Sequence, residues 1–337
     1  MTSLAAKSKM PARRAGGSPP YAEAHVFAPN SKFCAGRGAL TPPRISDAEP
    51  MTPARADVGI CPYAGDGALP ERMITMTTVQ EIYDFIKTIA PEEMAFDWDH
   101  VGLLCGRADR AVTRVLVALD PFEPVCEEAA ALGCQLLVTH HPAIWELKAV
   151  SDASPEGRAL LYLIENGISA LNAHTNLDCA PGGVNDCLAA KLGLHNISVP
   201  EPLGTDAQGR CYGLLRTGEL APVTPEAFAR HVKTALGCEG VRFVPGARPV
   251  RRVAVGGGSC GDALPRVAAM GCDAFVTADC KYNTFADAQA LGLTLVDAGH
   301  FETENPVCAY LAAALRGQFP QIEVILSKNH RDCIKFA

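Results

Sequence analysis

Hydrophobic residues after position 77 follow two alternating patterns, one typical of helices and one typical of buried strands. Apolar side chains recur every three or four positions over residues 79–89, which predicts an amphipathic helix. Short, nearly continuous apolar runs follow at residues 114–120 and 134–139, with an alanine- and glutamate-rich segment between them. Such runs are typical of strands that are buried on both faces. The alternation predicts an α/β fold with mainly parallel sheets covered by helices.

This order of elements occurs twice along the chain. The second series begins with a strand predicted at residues 212–216 and ends, like the first, with a strand that runs into a histidine. The Ala-Leu-Gly-Cys of residues 131–134 returns as Ala-Met-Gly-Cys at residues 269–272. The two histidines, His174 and His300, each precede an acidic residue by four positions. We therefore predict an internal duplication of one α/β unit, with a period too long for a solenoid.

Residues 1–72 differ from the rest of the chain. They contain proline pairs at 19–20 and 42–43 and show no sustained apolar period, so they cannot bury enough surface to offset their chain entropy. Early basic residues are compatible with an organelle transit peptide, but the prolines would break the helix that such a peptide needs. We predict either a disordered tail or a start assigned too early, with Met73 or Met76 as the true start.

Composition and charge narrow the class of protein. A hydrophobic content of 48% with 20% charged residues is globular, and a net charge of −7 argues against binding to nucleic acid or to an anionic membrane surface. The apolar runs are much shorter than the ~20 residues of a membrane span. The 14 cysteines are scattered without Cys-x-x-Cys pairs, so they are interpreted as free thiols in a reducing compartment. These features predict a cytoplasmic protein.

Side chains that commonly bind metals follow three of the predicted strands. Because parallel strands place their ligand sites beyond their carboxyl ends, we expect five of these side chains to converge. They are His140, His141, Asp178, His300 and Glu304. Pro142 prevents the strand from continuing, which allows two adjacent histidines to face one site and suits two adjacent ions. Imidazoles mixed with carboxylates suit Zn²⁺, Mn²⁺ or Fe²⁺. His174 is compatible with a sixth ligand position or with a supporting or proton-transfer role.

Two other features of the sequence resemble binding sites. The Gly-Gly-Gly-Ser of residues 256–259 follows a strand and opens a helix, as in phosphate-binding loops, but it lacks the P-loop lysine and the full dinucleotide motif. We interpret it as a tight turn. Cys179 and Cys280 lie near the candidate ligands, but their spacing is not that of thiolate metal sites, so we do not expect them to bind metal.

Several of these segments together resemble the Nif-three-like dinuclear metal-centre family, whose members are also named GTP cyclohydrolase 1 type 2 homologues. The shared motifs are Thr-His-His-Pro at 139–142, Asn-Ala-His-Thr-Asn-Leu-Asp at 172–178, Gly-Gly-Val-Asn-Asp at 182–186 and Gly-His-Phe-Glu-Thr-Glu at 299–304. Residues 98–103 and 277–283 also resemble family segments, with His100 in place of Asn, Ala278 in place of Gly and Asn283 in place of His. The resemblance covers the chain from Thr77 to its end.

The resemblance implies two intertwined α/β repeats, one over residues 73–200 and one over residues 201–337, each contributing metal ligands. It also implies a ring-shaped homohexamer. The five residues named above would hold two divalent ions per chain. The implied activity is metal-dependent hydrolysis of GTP, in which metal-activated water opens the imidazole ring of guanine. His174 would be the catalytic proton shuttle, while Asp279 and Lys281 would help to place the nucleotide.

Two other functions remain open from the sequence. A phosphoester hydrolase could use the same pair of ions on another small-molecule substrate. A protein that stores or delivers metal, or an adaptor protein, would also keep the ligands but would show no turnover. None of these candidate functions involves nucleic acid or a membrane.

Overall fold

The computed structural model describes residues 76–146 and 148–337. The prediction for residues 1–72 lies outside the described residues. None of the helices in the described part of the chain has the length and hydrophobicity that a membrane crossing requires.

The described residues form ten α-helices and thirteen strands. The α-helices are α1 (Val79–Ile89), α2 (Glu123–Ala131), α3 (Pro155–Glu165), α4 (Thr175–Cys179), α5 (Val184–Lys191), α6 (Pro225–Leu236), α7 (Leu264–Ala269), α8 (Tyr282–Leu291), α9 (His300–Glu304) and α10 (Pro306–Gln318). Short 3₁₀ turns cover Glu92–Met94 and Gly261–Ala263. The strands are β1 (Gly102–Cys105), β2 (Arg114–Ala118), β3 (Leu136–Thr139), β4 (Ser169–Asn172), β5 (His195–Ser198), β6 (Gly204–Thr205), β7 (Cys211–Tyr212), β8 (Arg216–Val223), β9 (Arg242–Val244), β10 (Val250–Val255), β11 (Ala274–Thr277), β12 (Thr294–Asp297) and β13 (Glu323–Leu326).

Two larger sheets carry most of the strands. The first has the order β1-β4-β3-β2-β13, in which only β1 runs antiparallel to its neighbour. The second has the order β5-β8-β10-β11-β12-β9, with parallel pairing between β10, β11 and β12 and antiparallel pairing elsewhere. Strands β6 and β7 form a separate antiparallel pair. The predicted α/β class with parallel sheet segments is therefore confirmed, while the internal duplication stays a prediction.

The first sheet takes an edge strand from a distant part of the chain. Strand β13, near the C-terminus, pairs in parallel with β2 of the first sheet. Strand β5 pairs with β8 at the edge of the second sheet. The chain thus crosses between the sheets through α5 and returns through α10.

Both faces of the central strands β2, β3 and β4 of the first sheet are buried, as the nearly continuous apolar runs predict. In β2, Val115 and Val117 pack into the core beneath α1 and α10, while Leu116 and Ala118 pack into the core beneath α2 and α3. This alternation follows from the two-residue period of a strand. Helix α1 begins at a capping box formed by Thr78 with Glu81, as its sequence favours.

The strand predicted at residues 212–216 is wrong in its bounds. Strand β7 ends at Tyr212, and β8 begins only at Arg216. The N–H of Gly213 donates to the carbonyl of Cys179 (3.1 Å), so the residues between these strands connect to the end of α4 instead of to a sheet. A short apolar run does not by itself distinguish a strand from a buried connection.

Candidate metal centre

The two adjacent histidines lie where β3 ends. His140 is fully buried and His141 nearly so. The hydroxyl of Thr139 donates to the carbonyl of His141 (2.7 Å) and closes a tight turn before Pro142. Both rings therefore contribute to one site, although neighbouring residues of a regular strand would point to opposite faces.

The remaining predicted ligands lie on short helices that follow strands. Asp178 lies on α4, directly after β4 of the first sheet. His300 and Glu304 lie one turn apart on α9, after β12 of the second sheet. The carboxyl ends of parallel strands from both sheets thus meet at one place, where the predicted site residues are brought together.

Glu304 is at the centre of this cluster. Its Oε2 lies 3.0 Å from Nε2 of His300, 3.1 Å from Nε2 of His141 and 3.8 Å from Nε2 of His140. Oδ1 of Asp178 lies 3.6 Å from Nε2 of His140. His141, His300 and Glu304 form one triad, and His140, Asp178 and Glu304 form another, each with donor atoms within 4.8 Å of one another. The two triads share Glu304.

Hydrogen bonds determine which nitrogen of each histidine faces the cluster. Nδ1 of His140 bonds to the carbonyl of Ala173 (2.8 Å), and this carbonyl can only accept. Nδ1 of His141 bonds to Asp120 (2.6 Å), and Nδ1 of His300 bonds to Asp279 (2.7 Å). Each Nδ1 therefore donates, which leaves each Nε2 as the nitrogen that faces Glu304 and would bind an ion once it carries no proton.

The arrangement fits a cation. Among the described residues, Nε2 of His140, Oδ1 of Asp178 and Oε2 of Glu304 are buried without a hydrogen-bond partner. Leaving three such electron-pair donors unpaired in the interior is costly. Divalent ions with affinity for imidazole and carboxylate would satisfy all three. The geometry thus supports the ligand roles of the five residues, which otherwise stay predictions.

Burial and mutual charge shift the protonation of the cluster. Burial lowers the pKa of His140 to about 3, which keeps its imidazole neutral. Burial and the charge of Glu304 raise the pKa of Asp178 above its ordinary value. Burial opposes charge on His141 and His300, but hydrogen bonds to carboxylates outweigh it and raise their pKa values to about 9 and about 11. Burial likewise opposes charge on Glu304, but the nearby imidazoles of His141 and His300 hold its pKa low.

His174, the predicted catalytic residue, lies beside the cluster. Its ring centroid is 5.2 Å from that of His140 and 5.5 Å from that of His141. Nδ1 of His174 bonds to Asp99 (2.9 Å), and Asp99 also accepts two hydrogen bonds from Thr175. Burial disfavours the charged form of Asp99, but the hydrogen bonds from His174 and Thr175 lower its pKa to about 2. The position is compatible both with a ligand role and with proton transfer.

Three supporting residues were missed from the sequence. Asp120 follows β2 at the same edge of the sheet as the histidines and bonds to His141, so its position after a strand was an available signal. Asp99 lies in the family-like segment 98–103, which pointed to it only by resemblance. His330 bonds to Asp120 (2.8 Å) from the C-terminal segment, where no sequence pattern marks it.

Two cavities open beside the cluster. One of about 330 Å³ is bounded by His141, His300 and His330 together with the aromatic rings of Phe122 and Trp145. The other, of about 560 Å³, shares Phe122, His141 and Trp145 with the first. Both cavities reach the cluster through His141, so a small molecule within them would lie against the candidate metal centre.

The glycine loop of residues 256–259 is a tight turn, as interpreted from the sequence. The N–H of Gly257 donates to Asn185 (2.7 Å), and the N–H of Gly258 donates to Thr303 (3.0 Å). These N–H groups are therefore used within the protein and are not available to a phosphate. Burial raises the pKa values of the Cys179 and Cys280 thiols to about 12, which disfavours the thiolate that metal binding requires.

Asp279, in the segment of residues 277–283, supports a candidate ligand. It adopts a left-handed conformation (φ 53°) and bonds to Nδ1 of His300, while its contact with a nucleotide stays a prediction. Ala278 is buried, and its N–H donates to the carbonyl of Gly258. Lys281 and Asn283 are exposed at the start of α8.

Comparison with known proteins agrees with this geometry. A protein of Streptomyces coelicolor named GTP cyclohydrolase 1 type 2 homolog is 40% identical over 249 residues, which are 71% of this chain and 86% of that protein. A protein of the same name from Clostridium perfringens is 30% identical and is matched over 99% of its length and 77% of this chain. The crystal structure of a Bacillus cereus protein related to NIF3 superposes with a TM-score of 0.73 at 26% identity, over 78% of this chain and 99% of that one.

The profile of the Duf34/NIF3 (NGG1p interacting factor 3) family matches residues 77–333. This range includes both sheets and all residues of the cluster. The chain belongs to the Duf34/NIF3 family.

Proposed function

We propose that this protein is a metal-dependent hydrolase that holds two divalent ions, one in each of the triads that share Glu304. The observation that carries the proposal is the convergence of buried donor atoms on His140, Asp178 and Glu304 that have no partner among the described residues. One ion would satisfy these three atoms. We place the second ion in the triad of His141, His300 and Glu304, because its donor atoms also lie within 4.8 Å of one another.

The chain's own residues determine what the site can do. A pair of bound divalent ions would supply a nucleophile at neutral pH and stabilise developing negative charge. His174 is oriented by Asp99 beside the cluster, and we assign it the transfer of a proton to or from the reacting group. The rings of Phe122 and Trp145 form apolar walls that would hold a substrate and exclude water from the reacting atoms.

The relatives' name supplies the first substrate to test. We propose GTP, with opening of the guanine imidazole ring as the reaction, because the relatives named above are called GTP cyclohydrolase 1 type 2 homologs. A phosphoester is the second substrate to test, since the same pair of ions would serve it. The homohexamer and the cytoplasmic location stay predictions, and a monomer in light scattering would contradict the former.

The test is turnover of GTP by purified protein loaded separately with Zn²⁺, Mn²⁺ or Fe²⁺, followed by the ultraviolet change as the ring opens. Glu304→Ala is expected to lower turnover at least ~100-fold, because it removes the carboxylate shared by both triads. Glu302→Ala, on the same helix but outside the cluster, is the matched control and should retain activity. His174→Ala should lower turnover by roughly 10²–10⁴ while leaving the metal content unchanged.

The outcomes separate the alternatives. Turnover that disappears in Glu304→Ala and persists in Glu302→Ala supports the hydrolase. Tight binding of two ions with no turnover of GTP or of phosphoesters would contradict it and would favour metal storage or delivery. Failure to bind any divalent ion would contradict the metal centre itself.

A further inference from the structure

The C-terminal segment of residues 327–337 crosses from the first sheet to the second half of the chain. It follows β13 without regular secondary structure. At its start, the buried carboxylate of Glu128 on α2 accepts hydrogen bonds from the Ser327 hydroxyl and from the N–H groups of Lys328 (2.9 Å) and Asn329 (3.1 Å). Near its end, the ammonium of Lys335 lies 3.2 Å from Glu239, beyond α6. The segment is therefore attached near both of its ends, and its residues 330–334 border the first cavity.

His330 lies between these two attachments, and its side chain is only 4% exposed. Its ring packs against Phe301 (centroids 4.9 Å apart) and Phe122 (6.2 Å). Its Nε2 is 2.8 Å from Oδ2 of Asp120. Burial opposes charge on Asp120, but its two histidine partners hold the pKa of its carboxyl well below the ordinary range, so this carboxylate accepts and Nε2 of His330 donates.

The other oxygen of Asp120 completes a chain of contacts to the cluster. Oδ1 of Asp120 is 2.6 Å from Nδ1 of His141, and Nε2 of His141 faces Glu304 at 3.1 Å. His330 thus holds one oxygen of the carboxylate whose other oxygen sets the tautomer and the ring orientation of His141. His140 and His300 obtain the same support from Ala173 and Asp279. Neither of those supports involves the C-terminal segment.

We infer that His330 is a positioning residue for the metal centre and acts through Asp120 on His141 alone. The inference rests on the proposed metal centre. It assigns a function to the C-terminal segment, which brings a hydrogen-bond donor to the site from a position about two hundred residues after Asp120 in the chain. The expected consequence is asymmetric. Loss of the donor should weaken the ion held by His141, His300 and Glu304 and spare the ion held by His140, Asp178 and Glu304.

Two substitutions distinguish the loss of the His330 hydrogen-bond donor from the loss of packing by its ring. His330→Phe keeps an aromatic ring between Phe122 and Phe301 but cannot donate to Asp120. His330→Gln keeps an N–H near the position of Nε2 but loses the ring. His195→Ala, at an exposed histidine on β5, is the control for loss of a histidine elsewhere.

The measurement is stepwise Mn²⁺ binding to metal-free full-length protein by titration calorimetry, with the thermal melt of each metal-free variant as a check on folding. His330→Phe is expected to weaken one of the two binding steps about 10- to 100-fold, the usual effect of losing a residue that supports a metal ligand. The other step, and both steps in His330→Gln and His195→Ala, should stay close to wild type. In an Asp120→Ala background, His330→Phe should have no further effect, because the contact it removes is already absent.

The inference is overturned if His330→Phe binds both ions as the wild type does, or if it weakens both steps equally, as a general structural role would. It is also overturned if His330→Gln is as weak as His330→Phe. Any of these results leaves the proposed metal centre standing, provided that the wild type binds two ions. A wild type that binds no Mn²⁺, Zn²⁺ or Fe²⁺ would remove both the proposed function and this inference.

Discussion

At the scale of single residues, two imidazole rings of the cluster lie between carboxylates. Glu304 lies within 3.1 Å of two imidazole nitrogens whose other nitrogens donate to Asp120 and Asp279. In the metal-free protein these carboxylates raise the pKa values of His141 and His300 to about 9 and about 11. Both histidines therefore carry a proton at pH 7 that a metal ion would have to displace.

This predicts that metal binding releases protons. Because both pKa values lie above the ordinary value of about 6.5, affinity should rise between pH 7 and pH 9 as the first proton is lost. The stability that these protons contribute to the metal-free protein is complete below about pH 6.5 and is lost as the pH rises through about 9 and then about 11.

Titration of metal into the protein in two buffers of different ionisation enthalpy measures the protons released. Asp279→Asn should reduce the release between pH 8 and pH 9, because it removes one of the carboxylates that hold the proton on His300. A binding enthalpy that is the same in both buffers would contradict the prediction.

At the scale of elements, the ends of strands and the short segments that follow them hold the site. The loop after β10 presses against α9 at Gly258, whose φ of +61° is left-handed. A Cβ added at this residue would lie 2.0 Å from Oε1 of Glu304. The absence of a side chain on the loop is thus what allows Glu304 to enter the cluster.

Gly258→Ala is expected to displace Glu304 and to lower metal affinity together with stability. Gly271→Ala is the matched control, because Gly271 has a φ of +72° and an added Cβ would meet nothing within 4 Å. The control should lose only the roughly 1–2 kcal/mol of a left-handed alanine. Urea unfolding and bound-metal analysis measure both effects, and equal behaviour of the two variants would refute the argument.

At the scale of the whole molecule, a buried arginine connects the two sheets. Arg216 begins β8, and its side chain is 1% exposed. Its guanidinium pairs with Asp186 (2.9 Å) and donates to the carbonyls of Cys179 and Ala180, which directly follow Asp178. A residue of the second sheet thus fixes the helix that carries a candidate ligand beside the first sheet.

Arg216→Met should lower the free energy of unfolding by roughly 3 kcal/mol or more, since it leaves Asp186 and buried carbonyls without their partner. Arg251→Met is the matched control, because the Arg251 side chain is 64% exposed and its pair with Glu219 is at the surface. That change should cost under ~1 kcal/mol. Urea denaturation measures both free energies, and a loss no larger than that of the control would count against this role.

The sequence predicted many of the elements but not how they connect. Repeated apolar periods identified α1, β2 and β3, because a period reports which face of an element is buried. The place of β13 beside β2 could not be predicted in this way, since pairing between segments two hundred residues apart leaves no local pattern. The same holds for the start of β8, which depends on a hydrogen bond from Gly213 to Cys179.

By itself, the sequence determined the α/β class and the candidate ligands, because strand ends in parallel sheets converge and histidines at such ends stand out. Only the tertiary structure decided which atoms face one another. It placed three Nε2 atoms around Glu304 and brought His330 to Asp120. The physical reason is that an apolar period is a local pattern, which shows only which face of an element is buried. A hydrogen bond between distant residues depends instead on how the whole chain folds.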